Sequence, residues 1–381
     1  MNNEKESSSI LALVCMTVPV SCGSRDKGSR LEDLKKTGSM ELQYAEHFSV
    51  DYCEGGCSLV TAGEEKLLIV PEGASVPAGT EGITVIKQPV ENVYMANSAA
   101  MDLADGIGCL DRITMTSTPQ RDWTLPAAEE AMDRGDITYI GKYSAPDYEA
   151  LVGEDCGLAV ENTMILHNPQ VKEKIEELGI PVMIDLSSYE SHPLGRMEWL
   201  RLYGLIFGVQ EEADRYFAEK TSAFGALDTN DIPESEKKTA AFFYISPNGY
   251  VNIRKPKDYV SEMIRLAGGK YIFTADDLNV DENALSTMNI QLETFYEAAR
   301  DADVLIYNST VEGRLDSMEQ FLEKSPLLAD MKAVREGNVW CTEQNMFQQT
   351  TGAADMIADM ERIFSGEADG TDQLTYLHRL S

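Results

Sequence analysis

Apolar and polar positions follow two periodicities along this chain, and their order indicates an α/β protein. Residues 41–70 alternate apolar and polar side chains around Gly55 and Gly56, which predicts a β-rich start with a tight turn. Further on, short apolar runs such as residues 113–116 alternate with segments such as residues 99–110, whose apolar positions recur at helical spacing. Alternating strands and helices predict parallel sheets wrapped by helices.

A pattern that occurs twice, 144 residues apart, indicates two similar lobes. Residues 149–162 and 293–308 each begin with a Glu at the start of a short helix, pass through a polar turn and an apolar strand, and end at an Asn. One recurrence at this spacing predicts two α/β lobes, because a solenoid needs three or more shorter repeats. Since pockets form where lobes meet, we expect a ligand between them.

A helix between the lobes is predicted by the sequence that follows Gly208. Acidic residues open this segment and Lys220 lies near its end, as the helix dipole favours. The predicted organisation is an N-terminal lobe over residues 40–208, a linker helix over 209–228 and a C-terminal lobe over 229–381. We therefore expect an α/β fold of two Rossmann-like lobes with mainly parallel sheets, joined by one long helix that permits only small lobe closure.

The charge balance excludes some partners. The chain carries 64 acidic and 32 basic residues, a formal net charge of −32. A surface this acidic repels phosphate backbones and anionic membranes, so the folded body is not expected to bind nucleic acid or a membrane surface. The acidity is typical of a highly soluble protein, and attraction of a cationic or metal-bearing ligand is the functional alternative.

The N-terminus has the pattern of an export signal. Residues 10–20 are apolar, a run too short to span a bilayer, and they lead into Ser21, Cys22 and Gly23. This pattern resembles a bacterial lipoprotein signal over residues 1–22, with Cys22 as the lipidated mature N-terminus, followed by a disordered tether over 23–39. Pro19 and the acidic leader depart from the usual pattern, and a frayed apolar tail is the alternative.

Cysteine and histidine usage does not predict a metal site within the protein. Cys53 and Cys57 bracket a predicted hairpin turn and could form a disulfide or remain free thiols. The other cysteines of the folded body are isolated and are expected to be buried: Cys109, Cys156 and Cys341. The four histidines, at positions 47, 167, 192 and 378, are scattered, whereas a zinc or manganese site needs several ligands that converge.

Several segments together resemble a known family, the substrate-binding lipoproteins of ABC importers for ferric siderophores, haem and cobalamin. The resemblance covers roughly residues 40–381 and is carried by residues 145–149 with 158–160, 192–199, 207–213, 292–293 with 303–306, and 328–340. It implies a non-enzymatic, extracytoplasmic receptor held to the outer face of the cell membrane by a lipid. The implied partners are an ABC importer permease and its ATPase, together with a small-molecule metal chelate.

The resemblance also implies a docking role for Glu149 and Glu293. The family places one exposed carboxylate on each lobe at these positions, where it meets arginines of the permease. Charges at the rim of an interface chiefly set orientation and on-rate. Without the resemblance, a Glu in the first turn of a helix would be explained by the helix dipole alone.

Ligand contacts are expected where the carboxyl ends of strands from both lobes converge. The loops at these ends are rich in Tyr, Asn and Ser, whose flat faces and polar tips suit a bulky chelate. Arg254 could pair with a carboxylate or hydroxamate oxygen of the ligand. The candidate cleft residues are Ser117, Tyr143, Glu161, Asn162, Tyr189, Tyr244, Arg254, Asn308, Asn345 and Met346.

Two other functions are compatible with a two-lobed α/β plan. One is an enzyme such as a chelatase, but the sequence has no Gly-rich phosphate loop, nucleophile elbow or His–Asp–Ser arrangement. The other is direct capture of zinc or manganese. In the favoured interpretation the protein has no intrinsic cofactor, and the iron or cobalt arrives inside its chelator, which could be a hydroxamate, a catecholate, haem or a corrinoid.

Overall fold

Two α/β lobes make up the part of the chain that the computed structural model describes, residues 30–225, 232–275, 286–368 and 374–381. The predicted signal over residues 1–22, with Cys22, and residues 23–29 of the predicted tether lie outside these ranges. The fold class expected from the sequence is confirmed: each lobe is built on a sheet with parallel strands at its centre.

A five-stranded sheet opens the N-terminal lobe and is antiparallel except for its last pair. Its strands are β1 (Lys36–Ser39), β2 (Phe48–Cys53), β3 (Ser58–Ala62), β4 (Glu65–Val70) and β5 (Thr84–Lys87). The turn between β2 and β3 holds Gly55 and Gly56, both at positive φ, as a tight turn requires. Cys53 and Cys57 flank this turn as free thiols, and the N–H of Cys53 donates to the carbonyl of Cys57.

The prediction of a disordered tether over residues 23–39 is wrong for residues 30–39, which form regular structure. Arg30 forms a bridge with Ala78, a 3-10 helix covers Leu31–Asp33, and β1 pairs with β2. No side chain of β1 is buried, so its sequence carries no apolar pattern. The strand is held by backbone hydrogen bonds to β2, and such bonds leave no hydrophobic pattern in the sequence.

A second sheet forms the body of the N-terminal lobe. Its five strands are parallel, in the order β12-β11-β6-β7-β8, and a separate antiparallel pair joins β9 to β10. The strands are β6 (Val93–Met95), β7 (Ile113–Thr116), β8 (Thr138–Tyr139), β9 (Gly141–Lys142), β10 (Ala145–Pro146), β11 (Leu158–Asn162) and β12 (Val182–Asp185). The helices are α1 (Ser98–Gly106), α2 (Pro126–Arg134), α3 (Tyr148–Gly153) and α4 (Pro169–Glu177).

Two helices, α5 (Pro193–Phe207) and α6 (Gln210–Phe224), connect the lobes. Every residue of α5 except Arg201 is buried, so this helix lies inside the molecule. Gly208, at φ 75°, ends α5 and turns the chain into α6. A Cβ on Gly204 would lie 2.4 Å from the Cβ of Ala213, so this glycine is what lets the two helices approach. Helix α6 lies within the range expected for the linker, residues 209–228.

The C-terminal lobe has a seven-stranded mixed sheet in the order β16-β14-β13-β17-β18-β19, with β15 beside β13. The pairs of β13 with β15, β13 with β17 and β17 with β18 are parallel, and the rest are antiparallel. Its strands are β13 (Thr239–Ile245), β14 (Val251–Arg254), β15 (Lys270–Tyr271), β16 (Thr287–Ile290), β17 (Val304–Tyr307), β18 (Val339–Thr342) and β19 (Leu377–Arg379). Its helices are α7 (Tyr259–Leu266), α8 (Leu292–Ala299), α9 (Ser309–Glu312), α10 (Met318–Lys324), α11 (Lys332–Arg335) and α12 (Ala353–Ser365).

The largest apolar cluster crosses from one lobe to the other. It joins residues of the first sheet and α1 to α5 and α6, and continues into α7 and α12 of the C-terminal lobe; examples are Met101, Trp199, Tyr203, Met263 and Ile357. Each fully buried large side chain of this kind contributes about 1.5–3 kcal/mol. The lobes therefore share a core, which adds to the connection through α6.

Two buried carboxylates tie the first sheet to α5. Glu198 accepts hydrogen bonds from the backbone N–H groups of Gln43, Tyr44 and Ala45, at 2.8–3.1 Å. Glu190 accepts from the N–H groups of Glu46 and His47 and from the indole of Trp199. These bonds fix the strand-free segment that leads into β2, and they place His47 next to the boundary between the lobes.

Candidate ligand-binding cleft

The carboxyl ends of the parallel strands in the N-terminal lobe surround a cavity of about 450 Å³, called here the N-lobe cavity. Strands β6, β7, β8 and β11 all end at it, as expected for the ligand edge of an open α/β sheet. It is lined by Ala96, Ser98, Ser117, Thr118, Pro119, Arg121, Asp122, Tyr139, Lys142, Tyr143 and Asn162.

Hydrogen bonds fix two polar side chains of the N-lobe cavity. Both Ser117 Oγ and Asn162 Nδ2 donate to the carbonyl oxygen of Ala96, at 3.1 and 3.0 Å. The side-chain oxygen Oδ1 of Asn162 accepts from the N–H of Met164 at 2.9 Å and so caps the 3-10 helix that follows β11. The ends of three neighbouring strands are thereby tied together, which preorganises this wall of the cavity.

A second cavity, of about 300 Å³, lies between the lobes and is called here the interlobe cavity. The N-terminal lobe contributes His47, Ser188, Tyr189, Glu190 and Ser191. The C-terminal lobe contributes Lys255, Lys257, Asp258, Tyr259 and Ser286.

Both cavities combine tyrosines with cations. The N-lobe cavity has Tyr139 and Tyr143 with Arg121 and Lys142, and the interlobe cavity has Tyr189 and Tyr259 with Lys255 and Lys257. Arg121 also lies 3.4 Å from the carboxylate of Asp122, which lines the same cavity. Tyrosines next to basic side chains can bind anionic or aromatic groups.

The carboxylates of the interlobe cavity are already engaged within the protein. Glu190 accepts three N–H groups, as described above. Asp258 caps α7 through the N–H of Val260 and lies 3.7 Å from the guanidinium of Arg254. Both carboxylates thus have partners within the protein, and the cavity also carries Lys255 and Lys257.

Beneath the interlobe cavity, two buried arginines stack on aromatic rings. The guanidinium carbon of Arg196, from α5, lies 4.0 Å from the ring centroid of Tyr259. Arg254 lies 4.6 Å from the ring of Phe347 and 5.5 Å from that of Tyr259. Burial lowers the pKa of Arg254, but the neighbouring Asp258 and tyrosines outweigh it, so the pKa is raised and the cation persists.

Four predicted cleft residues line one of the two cavities: Ser117, Tyr143 and Asn162 the N-lobe cavity, and Tyr189 the interlobe cavity. Arg254 is buried and forms the floor described above, with Ser286 at 3.4 Å from its Nη1. Contact of these residues with a ligand stays a prediction.

The structure does not place Glu161, predicted as a cleft residue, at either cavity. Its side chain is fully buried and lines neither cavity, and both of its carboxylate oxygens lack a hydrogen-bond partner among the described residues. Alternation along β11 turns it to the face of Ala159, in the apolar cluster that also holds Tyr94 and faces α3. Burial raises the pKa of Glu161 to about 8, so the carboxyl is mostly neutral at pH 7.

In the C-terminal lobe, the predicted residues do not form one cavity. Met346 is buried in the shared apolar core, where it lines a small cavity of about 10 Å³ with Arg196 and Tyr259, so it lies at neither of the two cavities described above. Asn308 is buried and caps α9 through the N–H of Thr310. Tyr244 lies half-buried on β13, and Asn345 donates to the side chain of Gln349.

The two candidate docking residues occupy equivalent places. Glu149 and Glu293 are both exposed, in the first turns of α3 and α8. Each helix leads into a strand with a neighbour on both sides, β11 or β17. Asp147 caps α3 by accepting the N–H of Glu149, which fixes the start of that helix.

The sequence reasoning did not single out several cavity residues. Arg121 lies in the loop after β7 and could have been found by the rule of strand ends. Lys255, Lys257 and Tyr259 follow the antiparallel strand β14, where no such rule applies. Within the described ranges, no group of three or more His, Cys, Asp or Glu could hold a metal ion.

Comparison with known proteins defines the class. The chain belongs to the periplasmic binding protein family, which matches residues 93–345. It is similar to two uncharacterised lipoproteins of Methanocaldococcus jannaschii. One is 27% identical over 78% of this chain and 70% of the relative. The other is 24% identical over 94% of this chain and 91% of the relative.

Solved structures share the fold at low sequence identity. A periplasmic binding protein from Veillonella parvula has a TM-score of 0.58 and 19% identity, covering 72% of this chain and 91% of its own. A periplasmic haem-binding protein from Pseudomonas aeruginosa has a TM-score of 0.58 and 13% identity, over 76% and 98% of the two chains. The catecholate-siderophore binding protein VctP from Vibrio cholerae has 0.55 and 14%, over 72% and 95%.

Family membership gives the function at a coarse level. The chain is a solute-binding protein and not an enzyme, as expected from the sequence. The family is extracytoplasmic, and it implies a small-molecule ligand and an ABC transporter as partner. No helix in the described part of the chain is long and apolar enough to cross a membrane.

Proposed function

We propose that this protein captures an anionic metal chelate with aromatic groups, a ferric siderophore or haem, and delivers it to an ABC importer. The observation that carries the proposal is the pairing of two tyrosines with two basic residues in each cavity. Catecholate arms and haem propionates offer the matching anionic oxygens next to flat rings. Cation–π and charge-assisted contacts are strong for such groups when they leave water.

The dimensions of the two cavities suit a small molecule. The N-lobe and interlobe cavities measure about 450 and 300 Å³, within the range of small-molecule sites. Two proteins of similar fold are named for binding haem and a catecholate siderophore, which supports the same ligand class. Cobalamin, expected from the sequence as a third possibility, lacks the several anionic groups that four cations would bind.

Delivery would use the two exposed carboxylates and a lipid anchor. Glu149 and Glu293 would orient the protein on arginines of the permease, one contact for each lobe. Lipidation at Cys22 would hold the protein at the outer face of the membrane, an inference supported by the lipoprotein relatives from M. jannaschii. Mass spectrometry of the membrane fraction tests the anchor: a diacylated Cys22 is expected, and an unmodified Met1 terminus would contradict it.

Titration of tryptophan fluorescence tests the ligand class. Trp123 is buried beside Asp122 of the N-lobe cavity and serves as a reporter. The panel is hemin, a ferric tricatecholate, a ferric hydroxamate, cobalamin and zinc chloride. We expect tight binding of hemin or the tricatecholate, whereas binding of zinc alone would instead support the direct metal receptor.

Paired substitutions sharpen the test. Arg121→Ala with Lys142→Ala, or Lys255→Ala with Lys257→Ala, should weaken binding of the anionic probe at least about tenfold, since one charge-assisted bond contributes about 1.5–3 kcal/mol. The matched control is Lys87→Ala, an exposed lysine on β5 outside both cavities. Unchanged affinity in both double variants would refute the proposed ligand chemistry.

A further inference from the structure

A second connection between the lobes does not pass through the covalent linker. The segment from Gln348 to Thr351, between β18 and α12 of the C-terminal lobe, contacts the N-terminal lobe. The side-chain oxygen of Gln348 accepts from the N–H of Thr124 at 2.8 Å and from its hydroxyl at 2.9 Å. Its side-chain nitrogen donates to the carbonyl of Asp122 at 2.8 Å. One amide thus satisfies two donors and one acceptor of the other lobe.

The same segment makes two more bonds nearby. The N–H of Thr351 donates to the buried carboxylate of Asp102 at 2.7 Å, and the Thr350 hydroxyl donates to the carbonyl of Ala99 at 3.3 Å. Both acceptors belong to α1. The five bonds join residues that are more than 220 positions apart in sequence, so they fix one lobe against the other.

The N-terminal side of this connection is part of the ligand cavity. Residues 117–124 form the loop after β7, and Ser117, Thr118, Pro119, Arg121 and Asp122 of this loop line the N-lobe cavity. Trp123 of the loop is buried. The far end of the loop, at Asp122 and Thr124, is held by Gln348.

We propose that Gln348 is a positioning residue that shapes the N-lobe cavity from the opposite lobe. Its amide holds residues 117–124 in the conformation that presents Arg121 and the hydroxyls of Ser117 and Thr118, so the cavity is complete only while the C-terminal lobe is docked. The chemistry is specific, because the side-chain amide offers one oxygen that accepts from two donors of the loop and a separate nitrogen that donates to its carbonyl. The ligand assigned to this cavity rests on the proposed function, but the positioning itself does not.

Hydrogen exchange of the ligand-free protein tests the positioning directly. In Gln348→Ala, exchange of the Thr124 amide should accelerate at least about tenfold, since several bonds of about 0.5–1.5 kcal/mol are lost. Emission of Trp123 should shift to the red. Gln348→Glu keeps the acceptors and loses the donor, so its exchange rate should fall between those of wild type and Gln348→Ala.

The matched control is Gln344→Ala, an exposed glutamine in the 3-10 helix just before the segment. It should leave the Thr124 amide and Trp123 unchanged. Circular dichroism and thermal unfolding of each variant establish that it is folded; if Gln348→Ala unfolds, Gln348→Glu and Thr124→Val decide the matter by the same two readouts. Wild-type exchange and emission in the folded Gln348 variants would overturn the proposal.

Binding of hemin and of a ferric tricatecholate extends the test to function. Gln348→Ala should raise the Kd of the bound probe about threefold to tenfold, and its effect should be less than additive with Arg121→Ala, because both act through the same loop. Full additivity would contradict positioning through the loop. If neither probe binds wild type while the Thr124 amide still depends on Gln348, the ligand assignment fails and the positioning stands.

Discussion

The two lobes use the same backbone pattern at their centres but different side chains. In the N-terminal lobe, α3 leads to β11, which ends in Glu161 and Asn162. In the C-terminal lobe, α8 leads to β17, which ends at Tyr307 and is followed by Asn308. Asn162 and Asn308 each cap the short helix that follows. The helix after Asn162 exposes Met164, and the helix after Asn308 exposes Val311.

The residue before each asparagine differs in type but not in burial. Glu161 and Tyr307 are both fully buried, with polar atoms that find no partner among the described residues. Beyond them, the N-terminal lobe opens into a cavity, whereas Asn308 in the C-terminal lobe is buried. The duplicated pattern therefore specifies the scaffold, and the cavity depends on the loops that each lobe adds to it.

The largest expected effect is the loss of transport when the exposed first-turn glutamate of each lobe is changed. Reversing both docking charges, Glu149→Lys with Glu293→Lys, should reduce transport of radioactive iron chelate through the cognate importer to background while ligand affinity stays unchanged. The matched control reverses two other exposed first-turn glutamates, one on each lobe: Glu129→Lys with Glu319→Lys. Normal uptake in the Glu149 and Glu293 variant would remove the docking assignment.

The next prediction is that the stability contribution of Glu161 depends on pH, whereas that of Tyr307 does not. The pKa of Glu161 is raised by burial from 4.5 to about 8, so the folded state binds a proton that the unfolded state releases. The contribution of Glu161 to the stability of the wild type should therefore be most favourable at low pH, fall between about pH 4.5 and 8, and stay low above pH 8. Glu161→Gln should remove this fall and gain about 3–5 kcal/mol at pH 9.

Urea unfolding at pH 5, 7 and 9 measures this effect. Burial raises the pKa of Tyr307, so that tyrosine stays neutral across the range, and Tyr307→Phe should change stability by less than about 1 kcal/mol at each pH. A wild-type stability contribution at Glu161 that rises with pH would show that its carboxylate has a partner in solution.

A smaller effect is expected where the lobes share their core. Gly204→Ala places a methyl group against Ala213 and should destabilise the protein by about 1–3 kcal/mol through forced separation of α5 and α6. Gly153→Ala, at the end of α3 with no neighbour within 4 Å, is the control and should be tolerated. Thermal unfolding of both variants compares them, and equal stability would mean that the helices can move apart freely.

The smallest effect distinguishes the two capping asparagines. Asn162→Ala and Asn308→Ala should each cost about 1 kcal/mol of stability, since each removes a cap. Only Asn162→Ala should also weaken binding of the anionic chelate, because only Asn162 lines a cavity. If calorimetry showed equal losses of affinity in the two variants, Asn308 would contact the ligand as well.

The sequence predicted the parts of the fold that depend on local periodicity. The α/β rhythm, the second lobe and the strand-end positions of Ser117, Tyr143 and Asn162 all follow from spacing along the chain. Glu161 was misplaced because the rule of strand ends ignores the alternation of faces along β11. Gln348 could not be found, since its partners lie more than 220 residues away and leave no local pattern.

A crystal structure of the protein with the bound ferric tricatecholate or hemin tests the central claim most directly. The account predicts density for the chelate in contact with Lys142 or Arg121 of the N-lobe cavity, or with Lys255 or Lys257 of the interlobe cavity. Density on the outer surface of one lobe, with both cavities filled only by solvent, would contradict it.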